Sequence, residues 1–202
     1  VLGDVYNSQL IEVGPPNAEI EFSSPNEEAY FRKTHNYQSF SFKHATRKNI
    51  IYVGANDGML HAIDAITGEE EWAFIPPFII SKLPTIVNPN LNGKMEGNKG
   101  GSNAIFGVDG TPVVHDMFIR GYDQDGKLED EKNWHTILML PYGRGGAGFS
   151  VLDVTNTLLG AKGPIHMYSI YNDAVNNIVY YADKDGKITP YSYIASYYNI
   201  NQ

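Results

Sequence analysis

The stretch that decides the fold is NIIYVGANDGMLHAIDAITGEEEWAF, residues 49–74. It contains three short runs rich in β-branched, aromatic and other apolar residues, a composition typical of β-strands. The Asn-Asp-Gly triplet at 56–58 separates the first two runs and is a strong hairpin signal. A second turn signal at 65–68 separates the last two. The stretch therefore predicts two successive hairpins, an antiparallel meander of the kind that builds up-and-down sheets and propeller blades.

The composition favours strands joined by tight turns over a helical bundle. The 202-residue chain has 14 Tyr, 9 Phe, 20 Gly and 11 Pro; aromatic residues are typical of strands, and Gly and Pro of turns. Its formal net charge is -8, which argues against a nucleic-acid partner because phosphate contacts need clustered Lys and Arg. The absence of cysteine excludes disulfides, thiolate metal sites and cysteine nucleophiles.

The sequence contains no membrane-spanning or targeting segment. No apolar run approaches the roughly 18 residues that a helix needs to cross a bilayer. The chain begins at Val1, in strand-like sequence and without an initiator Met. We therefore expect an internal or processed segment, whose targeting signal would lie outside it.

The meander recurs along the chain. SQLIEVG at 8–14 can supply an inner strand to the first copy, which makes four strands. A second copy has the same order of segments: TPVVHDMFI (111–119), WHTILMLPYGRGGAG (134–148), FSVLDVTNT (149–157) and IHMYSIY (165–171). We predict an all-β fold, a β-propeller of four-stranded antiparallel meander blades. It would be incomplete in this chain, because closed propellers have four to eight blades.

The repeats set the expected organisation, which is one partial propeller domain over 1–202. Its parts are a blade at 8–74 with an insertion at 17–48, an insertion at 75–107, a blade at 108–171 with an insertion at 120–133, and a partial blade at 177–195. Only 172–176 separates the second blade from the partial one, which leaves no room for an inner strand. Either the third unit is degenerate or residues are missing from the sequence. We favour the omission and predict a break in the chain near Asp173.

Two insertions carry further expectations. The segment at 17–48 is rich in Tyr, Phe and Ser, a composition that suits a partner-contact surface and equally suits an insertion folded onto its own propeller. PFIISKLPTI, at 77–86, predicts a short helix or a packed apolar segment.

The residues from Ala62 to Trp72 fit the pattern A-x-D-x-x-T-G-x-x-x-W. This pattern resembles the tryptophan-docking motif of quinoprotein-type propellers, which implies that Trp72 packs against the neighbouring blade. Asp64 can accept backbone N–H groups in the turn, and Gly68 can take a positive φ. We assign structural roles to Ala62, Asp64, Thr67, Gly68 and Trp72, with Asp153 at the equivalent place in the second blade, and we assign no catalytic residue. Asp64 as a catalytic base is the alternative.

A longer ordered set of segments resembles the C-terminal propeller domain of the PilY/PilC family of type IV pilus-associated proteins. The segments are LGDVYNSQLIEVGPP (2–16), IYVGANDGMLHAIDAITGEEEWAFIPP (51–77), VDGTPVVHD (108–116), WHTILML (134–140) and GRGGAGFSVLDVT (143–155). The resemblance covers roughly 1–160 well and 179–188 more loosely. It implies a quinoprotein-like propeller of a secreted, non-enzymatic protein at the pilus tip or the outer-membrane surface. Its implied roles are pilus assembly, adhesion and twitching motility, and its implied partners are minor pilins and a host or surface receptor.

One acidic stretch is a calcium candidate. GYDQDGKLED, at 121–130, places Asp123, Asp125 and Glu129 near a Gly, as in calcium loops. Gly121 stands where such a loop has its first Asp, so an acidic, solvated hairpin is the alternative. The calcium loop that the resembling family often carries is not transferred, because 171–177 offers only one carboxylate, Asp173.

Two other functions remain compatible with a tryptophan-docking pattern. One is a quinone-dependent dehydrogenase. The sites of such enzymes resemble one another in having a quinone stacked on a Trp, a calcium ion, a carboxylate base and often a vicinal cysteine pair. This chain has no cysteine. The other is a propeller scaffold for outer-membrane assembly. GANDGMLHA and GRGGAGFSVLDVT favour the pilus family over that scaffold.

Overall fold

The computed structural model describes residues 3–21, 26–87, 106–119, 133–160 and 163–193. These residues are mostly in two antiparallel β-sheets. The first sheet has four strands in chain order: β1 (Ile11–Val13), β2 (Ile50–Gly54), β3 (Leu60–Asp64) and β4 (Glu70–Phe74). Gly58 and Gly68 lie in its two tight turns with φ of 91° and 74°, in the left-handed region that glycine enters without a steric penalty. The two hairpins predicted for 49–74 are therefore present.

The second sheet has six strands: β5 (Val113–Phe118), β6 (Trp134–Pro141), β7 (Gly148–Asp153), β8 (Ile165–Asp173), β9 (Ile178–Ala182) and β10 (Ile188–Ser192). They also lie side by side in chain order, and each neighbouring pair is antiparallel. The first four strands cover the segments predicted for the second copy of the meander.

The structure corrects the prediction of a separate partial blade at 177–195. β9 pairs directly with β8, and β10 pairs with β9, so both strands extend the second sheet. The predicted break near Asp173 is also wrong, since a tight turn at 174–177 joins β8 to β9. The Asp173 carboxylate accepts hydrogen bonds from the backbone and side-chain nitrogens of Asn176, at 3.1 and 2.8 Å. Asn177 takes a positive φ of 55°. A hairpin that extends an existing sheet needs no inner strand.

The insertion at 17–48 contains two helices, α1 (Glu27–Thr34) and α2 (Tyr37–Lys43). The side chain of Asn26 caps α1 by accepting a hydrogen bond from the backbone N–H of Ala29 at 3.0 Å. A small core joins this insertion to the second sheet, and its buried members are Tyr37, Phe40 and Trp134. Of the two interpretations of the insertion, the structure therefore shows the one in which it folds onto the rest of the chain.

The segment after the first sheet forms a short helix, as one of its two interpretations predicted. A single 3-10 turn at Ile80–Lys82 leads directly into α3 (Leu83–Val87). Ile79, just before the turn, is fully buried. Among the described residues, none of the helices has the length and apolar character needed to cross a bilayer.

The main core lies between the two sheets. Its buried side chains come from both of them and include Tyr52, Leu60, Trp72, Leu138, Leu140, Leu152 and Val154. Side chains alternate between the two faces of a strand, so the neighbours of these core residues point away from the first sheet. Val113, Met117 and Met139 illustrate this, with exposed fractions of 60%, 45% and 43%. The second sheet thus has one covered face and one face with exposed apolar side chains.

Candidate functional site at the junction of the two sheets

Trp72 joins the first sheet to the second. Its side chain lies on β4 and is only 6% exposed. The indole Nε1–H donates a hydrogen bond to the backbone carbonyl of Thr157, at 2.8 Å, in the loop that follows β7. On its own sheet, Trp72 pairs with Ala62 of β3 and its ring contacts Tyr52, with centroids 5.6 Å apart. A buried aromatic ring of this size contributes strongly to packing, and its N–H needs a partner.

Asp64 organises the turn that precedes Trp72. Its Oδ1 accepts the backbone N–H groups of Ile66 and Thr67, at 2.7 and 3.1 Å. Its Oδ2 forms an ion pair with the ammonium group of Lys48, which also pairs with Glu71. These interactions, with the Lys48 hydrogen bond as the largest, lower the pKa of Asp64 to about 2. A carboxylate with so low a pKa and with both oxygens engaged is a poor general base.

The rest of the motif completes this turn. The hydroxyl of Thr67 accepts the backbone N–H of Glu69 at 3.2 Å. The N–H of Gly68 donates to the backbone carbonyl of Asp64 at 2.9 Å. No side-chain atom would lie within 4 Å of a Cβ at position 68, so the positive φ, not a lack of space, is what favours glycine there.

Asp153 occupies the corresponding place in the second sheet and is bound in a similar way. It ends β7, as Asp64 ends β3. Its Oδ1 accepts the backbone N–H of Thr155 at 2.9 Å, and its Oδ2 lies 2.8 Å from Nδ1 of His135. Burial alone would raise the pKa of Asp153, but the hydrogen bonds from His135 and Thr155 outweigh it and lower the pKa. Both aspartates therefore hold loops at the junction.

Arg47 is a junction residue that no sequence motif indicated. Its guanidinium donates to the carbonyl of Gly14, next to β1, through Nε at 2.8 Å and also through a second nitrogen. Nη1 reaches the second sheet, where it donates to Oγ1 of Thr136 at 2.7 Å and to the carbonyl of Thr155 at 3.3 Å. Burial lowers the pKa of Arg47. Its partners are far apart in sequence, which explains why local patterns did not reveal it.

Tyr37 and Asp116 form a second unpredicted contact, between the helical insertion and the second sheet. The Tyr37 hydroxyl donates to Oδ2 of Asp116, while Oδ1 accepts from the hydroxyl of Thr136 at 2.6 Å. Burial, followed by the hydrogen bond to Asp116, raises the pKa of Tyr37. One signal in the sequence could have indicated this contact: Asp116 lies two residues from both Val114 and Phe118, so it shares their inward-facing side of β5.

His61 is buried in the first sheet and contacts two carboxylates, that of the buried Asp57 and that of the partly exposed Glu70. Its Nε2 is 3.0 Å from Oδ2 of Asp57, and its Nδ1 is 2.7 Å from Oε2 of Glu70. Burial alone would lower the pKa of His61, but the hydrogen bonds with the two carboxylates raise it. Asp57 also accepts the backbone N–H of Gly3 at 2.8 Å, so the cluster holds the beginning of the described chain on the first hairpin.

The calcium candidates Asp123, Asp125 and Glu129 lie outside the described residues. Within the described part of the chain, no group of three or more His, Asp or Glu side chains is placed to hold a metal ion. Asp173 supplies the single carboxylate of the turn after β8 and is engaged with Asn176. That turn does not fit Ca²⁺, which takes about six to eight oxygen ligands.

Comparisons with known proteins identify the family. The family model of the PilY1 beta-propeller domain matches residues 2–196. A type IV pilus biogenesis factor PilY1 homolog from Xylella fastidiosa is 35% identical over 156 residues, which are 77% of this chain and 11% of the relative. The type IV pilus biogenesis factor PilY1 of Pseudomonas aeruginosa strain UCBPP-PA14 is 36% identical over 155 residues, again 77% of this chain and 11% of the relative.

A solved structure also resembles the chain. It is the crystal structure of the Pseudomonas aeruginosa PilY1 C-terminal domain, with a TM-score of 0.46 and 22% sequence identity. The match covers 91% of this chain and 37% of that one. The chain spans 11% of the length of the two relatives named above. The match of the family model across nearly all of the sequence shows that the chain belongs to the PilY1 beta-propeller domain family.

Proposed function

We propose that the chain is a non-enzymatic binding module of a type IV pilus biogenesis factor. The observation that carries this proposal is the match to the PilY1 beta-propeller domain over residues 2–196. The names of its relatives, type IV pilus biogenesis factors, support it. The module would act at the pilus tip or the outer-membrane surface, in pilus assembly, adhesion and twitching motility. Its partners would be minor pilins of the tip complex and a host or surface receptor.

The two sheets are, in this proposal, two blades of a quinoprotein-like propeller. The indole of Trp72 would be the docking group between them, and its hydrogen bond to the carbonyl of Thr157 supports this role. The outer face of the second sheet would be the place where a further blade packs. Support comes from the exposed apolar side chains of Val113, Met117 and Met139 on that face. β9 and β10 would be an extension of the second blade.

Binding rather than catalysis is supported by the state of the acidic groups at the junction. Asp64 and Asp153 both use their oxygens within loops and ion pairs. Lowered pKa values keep both groups ionised near neutral pH. Recognition would instead rely on surfaces presented by a stiff β framework, since loops and insertions on rigid scaffolds commonly carry binding functions.

The test uses the full-length protein in the cells that produce it. Labelled antibody against this segment should bind sheared pili or the outer surface of intact cells. Trp72→Ala should reduce the number of surface pili and the twitching zone. Ile66→Ala is the matched control, because Ile66 belongs to the same turn but is 86% exposed, and it should leave both unchanged. The proposal fails if the polypeptide stays in the cytoplasm, or if deleting residues 3–193 leaves piliation and twitching intact.

A further inference from the structure

An open cleft of about 600 Å³ lies between the end of α2 and the loop that follows β7. Residues from 43–48 line one side, and residues from 155–160 together with Gly163 line the other. Pockets for small molecules commonly have volumes of about 300–1,000 Å³. The cleft is therefore large enough for a ligand of sugar size.

The charge of this cleft is opposite to that of the chain. Among the described residues, each charged side chain that lines it is a cation, namely Lys43, Arg47 or Lys48. The chain as a whole has 23 Asp and Glu against 15 Lys and Arg. A recess lined by one sign of charge concentrates ligands of the opposite sign.

Two of these cations form no ion pair with the residues that the structure describes. Lys43 is exposed and makes no salt bridge with any residue that the structure describes. Arg47 donates its hydrogen bonds to neutral oxygens, those of Gly14, Thr136 and Thr155. The third cation, Lys48, pairs with Asp64 and Glu71. The positive potential of the cleft therefore comes mainly from Lys43 and Arg47.

His44 lies beside these cations. It caps the end of α2 and lines the cleft, half-buried. Burial lowers the pKa of His44 to about 4, and the charges of Arg47 and Lys43 contribute to the lowering, against smaller opposing effects of Asp116 and Asp153. The imidazole is therefore neutral near pH 7. An anion bound beside it would stabilise the imidazolium and raise this pKa.

The opposite wall offers neutral polar groups and one apolar side chain. Thr155, Asn156 and Thr157 follow one another along it, and Leu158, 40% exposed, comes next. The two threonines are buried, and their hydroxyls already bond to the Thr136 N–H and the Lys48 carbonyl, so the less buried side chains of this wall are those of Asn156 and Leu158. An amide can hydrogen-bond to a hydroxyl group, and an apolar side chain can contact the C–H face of a sugar ring. This combination suits a polyhydroxylated ligand better than a bare inorganic ion.

We propose that this cleft binds an anionic sugar, that is, a monosaccharide unit carrying a phosphate or a carboxylate. Lys43 and Arg47 provide the attraction for the anionic group, and the wall at 155–158 contacts the ring and its hydroxyls. The inference rests on the cleft itself and stands whether or not the chain acts in pilus biogenesis.

The experiment is a titration of the intact chain followed by NMR of the histidine rings, with the His44 signal assigned through His44→Gln. The probes are glucose 6-phosphate and glucuronate, which separate a phosphate source from a carboxylate source. Glucose and inorganic phosphate are the matched controls, each lacking one half of the proposed ligand. At least one anionic sugar should shift the His44 signals and raise its titration midpoint. Added NaCl should weaken that binding, because salt screens charge.

Two lysine variants test the site. Lys43→Gln should weaken binding about tenfold, the effect expected for one charged hydrogen bond. Lys187→Gln removes an exposed lysine from the β9–β10 hairpin, outside the cleft, and should change the affinity less than about twofold. Thermal unfolding of both variants checks that the fold is kept.

Three results would overturn the inference. The first is that neither anionic sugar perturbs His44 at about 10 mM, a concentration at which a millimolar site would be saturated. The second is that Lys43→Gln binds as tightly as the unmodified chain. The third is that glucose or inorganic phosphate binds as tightly as the anionic sugars. Equal binding of glucose would show that the anionic group is not recognised, and equal binding of phosphate would show that the sugar ring is not recognised.

Discussion

Replacing Trp72 with Phe isolates the contact that joins the two sheets. The substitution keeps an aromatic ring in the core but removes the indole N–H that donates to the carbonyl of Thr157. Trp134→Phe is the matched control. The indole of Trp134 is similarly buried, at 4% exposed, and donates to the carbonyl of His35 at 2.7 Å. That bond ties the helical insertion to the second sheet and does not involve the first sheet.

The expected magnitude follows from two losses. Thr157 is 3% exposed, and leaving a buried acceptor without its partner costs about 1–3 kcal/mol. The smaller ring also leaves a gap between the sheets, which adds roughly 1 kcal/mol. We therefore expect Trp72→Phe to lower the free energy of unfolding by about 2–4 kcal/mol. In a chain of this size, that corresponds to a fall in Tm of about 4–16 °C. Trp72→Ala should cost about 3–5 kcal/mol.

Chemical denaturation measures the total cost, and hydrogen exchange locates it. Trp134→Phe should lose less free energy of unfolding than Trp72→Phe, because the carbonyl that it leaves without a donor belongs to the half-buried His35, where water can replace the indole. Only Trp72→Phe should increase exchange in β4 together with the loop at 154–160. Trp134→Phe should instead increase exchange in α1 and α2.

A loss below about 0.5 kcal/mol for Trp72→Phe, which is within the range of ordinary surface substitutions, would refute this reasoning. Unchanged hydrogen exchange in the loop at 154–160 would also refute it, because the hydrogen bond of Trp72 would then contribute nothing to holding the sheets together.

Three further predictions concern single polar groups. Because its pKa is lowered in the folded chain, Asp153 stabilises the fold above pH about 4, and this contribution is lost as pH falls through the lower folded pKa. Denaturation from pH 2 to 6 should show a smaller acid dependence for Asp153→Asn. His61 has a raised pKa, so its contribution is present below pH about 6.5 and is lost as pH rises through the folded pKa. His61→Gln should remove that dependence between pH 6 and 9, and an unchanged profile would contradict the assignment. Tyr37→Phe should cost about 1–3 kcal/mol, because Asp116 loses its phenolic donor. If it costs nothing in thermal unfolding, the bond is unimportant.

The turns and strands of the first sheet could be predicted because their signals are local. An Asn-Asp-Gly triplet and a Thr-Gly pair place a residue with positive φ where each hairpin needs one, as Gly58 and Gly68 show. The turn role of Asp64 is equally local, since its backbone partners lie two and three residues further along the chain. Such features depend on short-range chemistry, which a single sequence displays.

The choice of strand partner could not be predicted in the same way. β9, at Ile178–Ala182, has the β-branched and aromatic content of a strand that could start a new sheet or extend an old one. What decides between them is the length of the connection to β8: the turn at 174–177 brings the two strands together as a hairpin. The expectation of an inner strand in every repeat led to the wrong conclusion.

The polar contacts of the junction were missed for a different reason. Arg47 lies between a helix and a strand, and nothing near it in sequence indicates its partners. Those partners come from Gly14, Thr136 and Thr155, and they meet only when both sheets are in place. The helices of the insertion are similar, because short helices of this composition depend on tertiary contacts more than on their own propensity.

The junction combines two kinds of force, and each has a separate consequence for binding. Apolar burial between the sheets is strong but non-directional, so by itself it would allow the sheets to shift against each other. Directional bonds limit such shifts: Trp72 to the Thr157 carbonyl, the Thr157 hydroxyl to the Lys48 carbonyl, Arg47 to Thr136, and Asn7 to Asp109. Each joins the first-sheet region to the second-sheet region. Because ordering a flexible surface reduces affinity, a pair of sheets fixed in this way can present its loops to a partner with little ordering cost. The same bonds place 43–48 opposite 155–160, so the cleft between them depends on the junction that Trp72 holds.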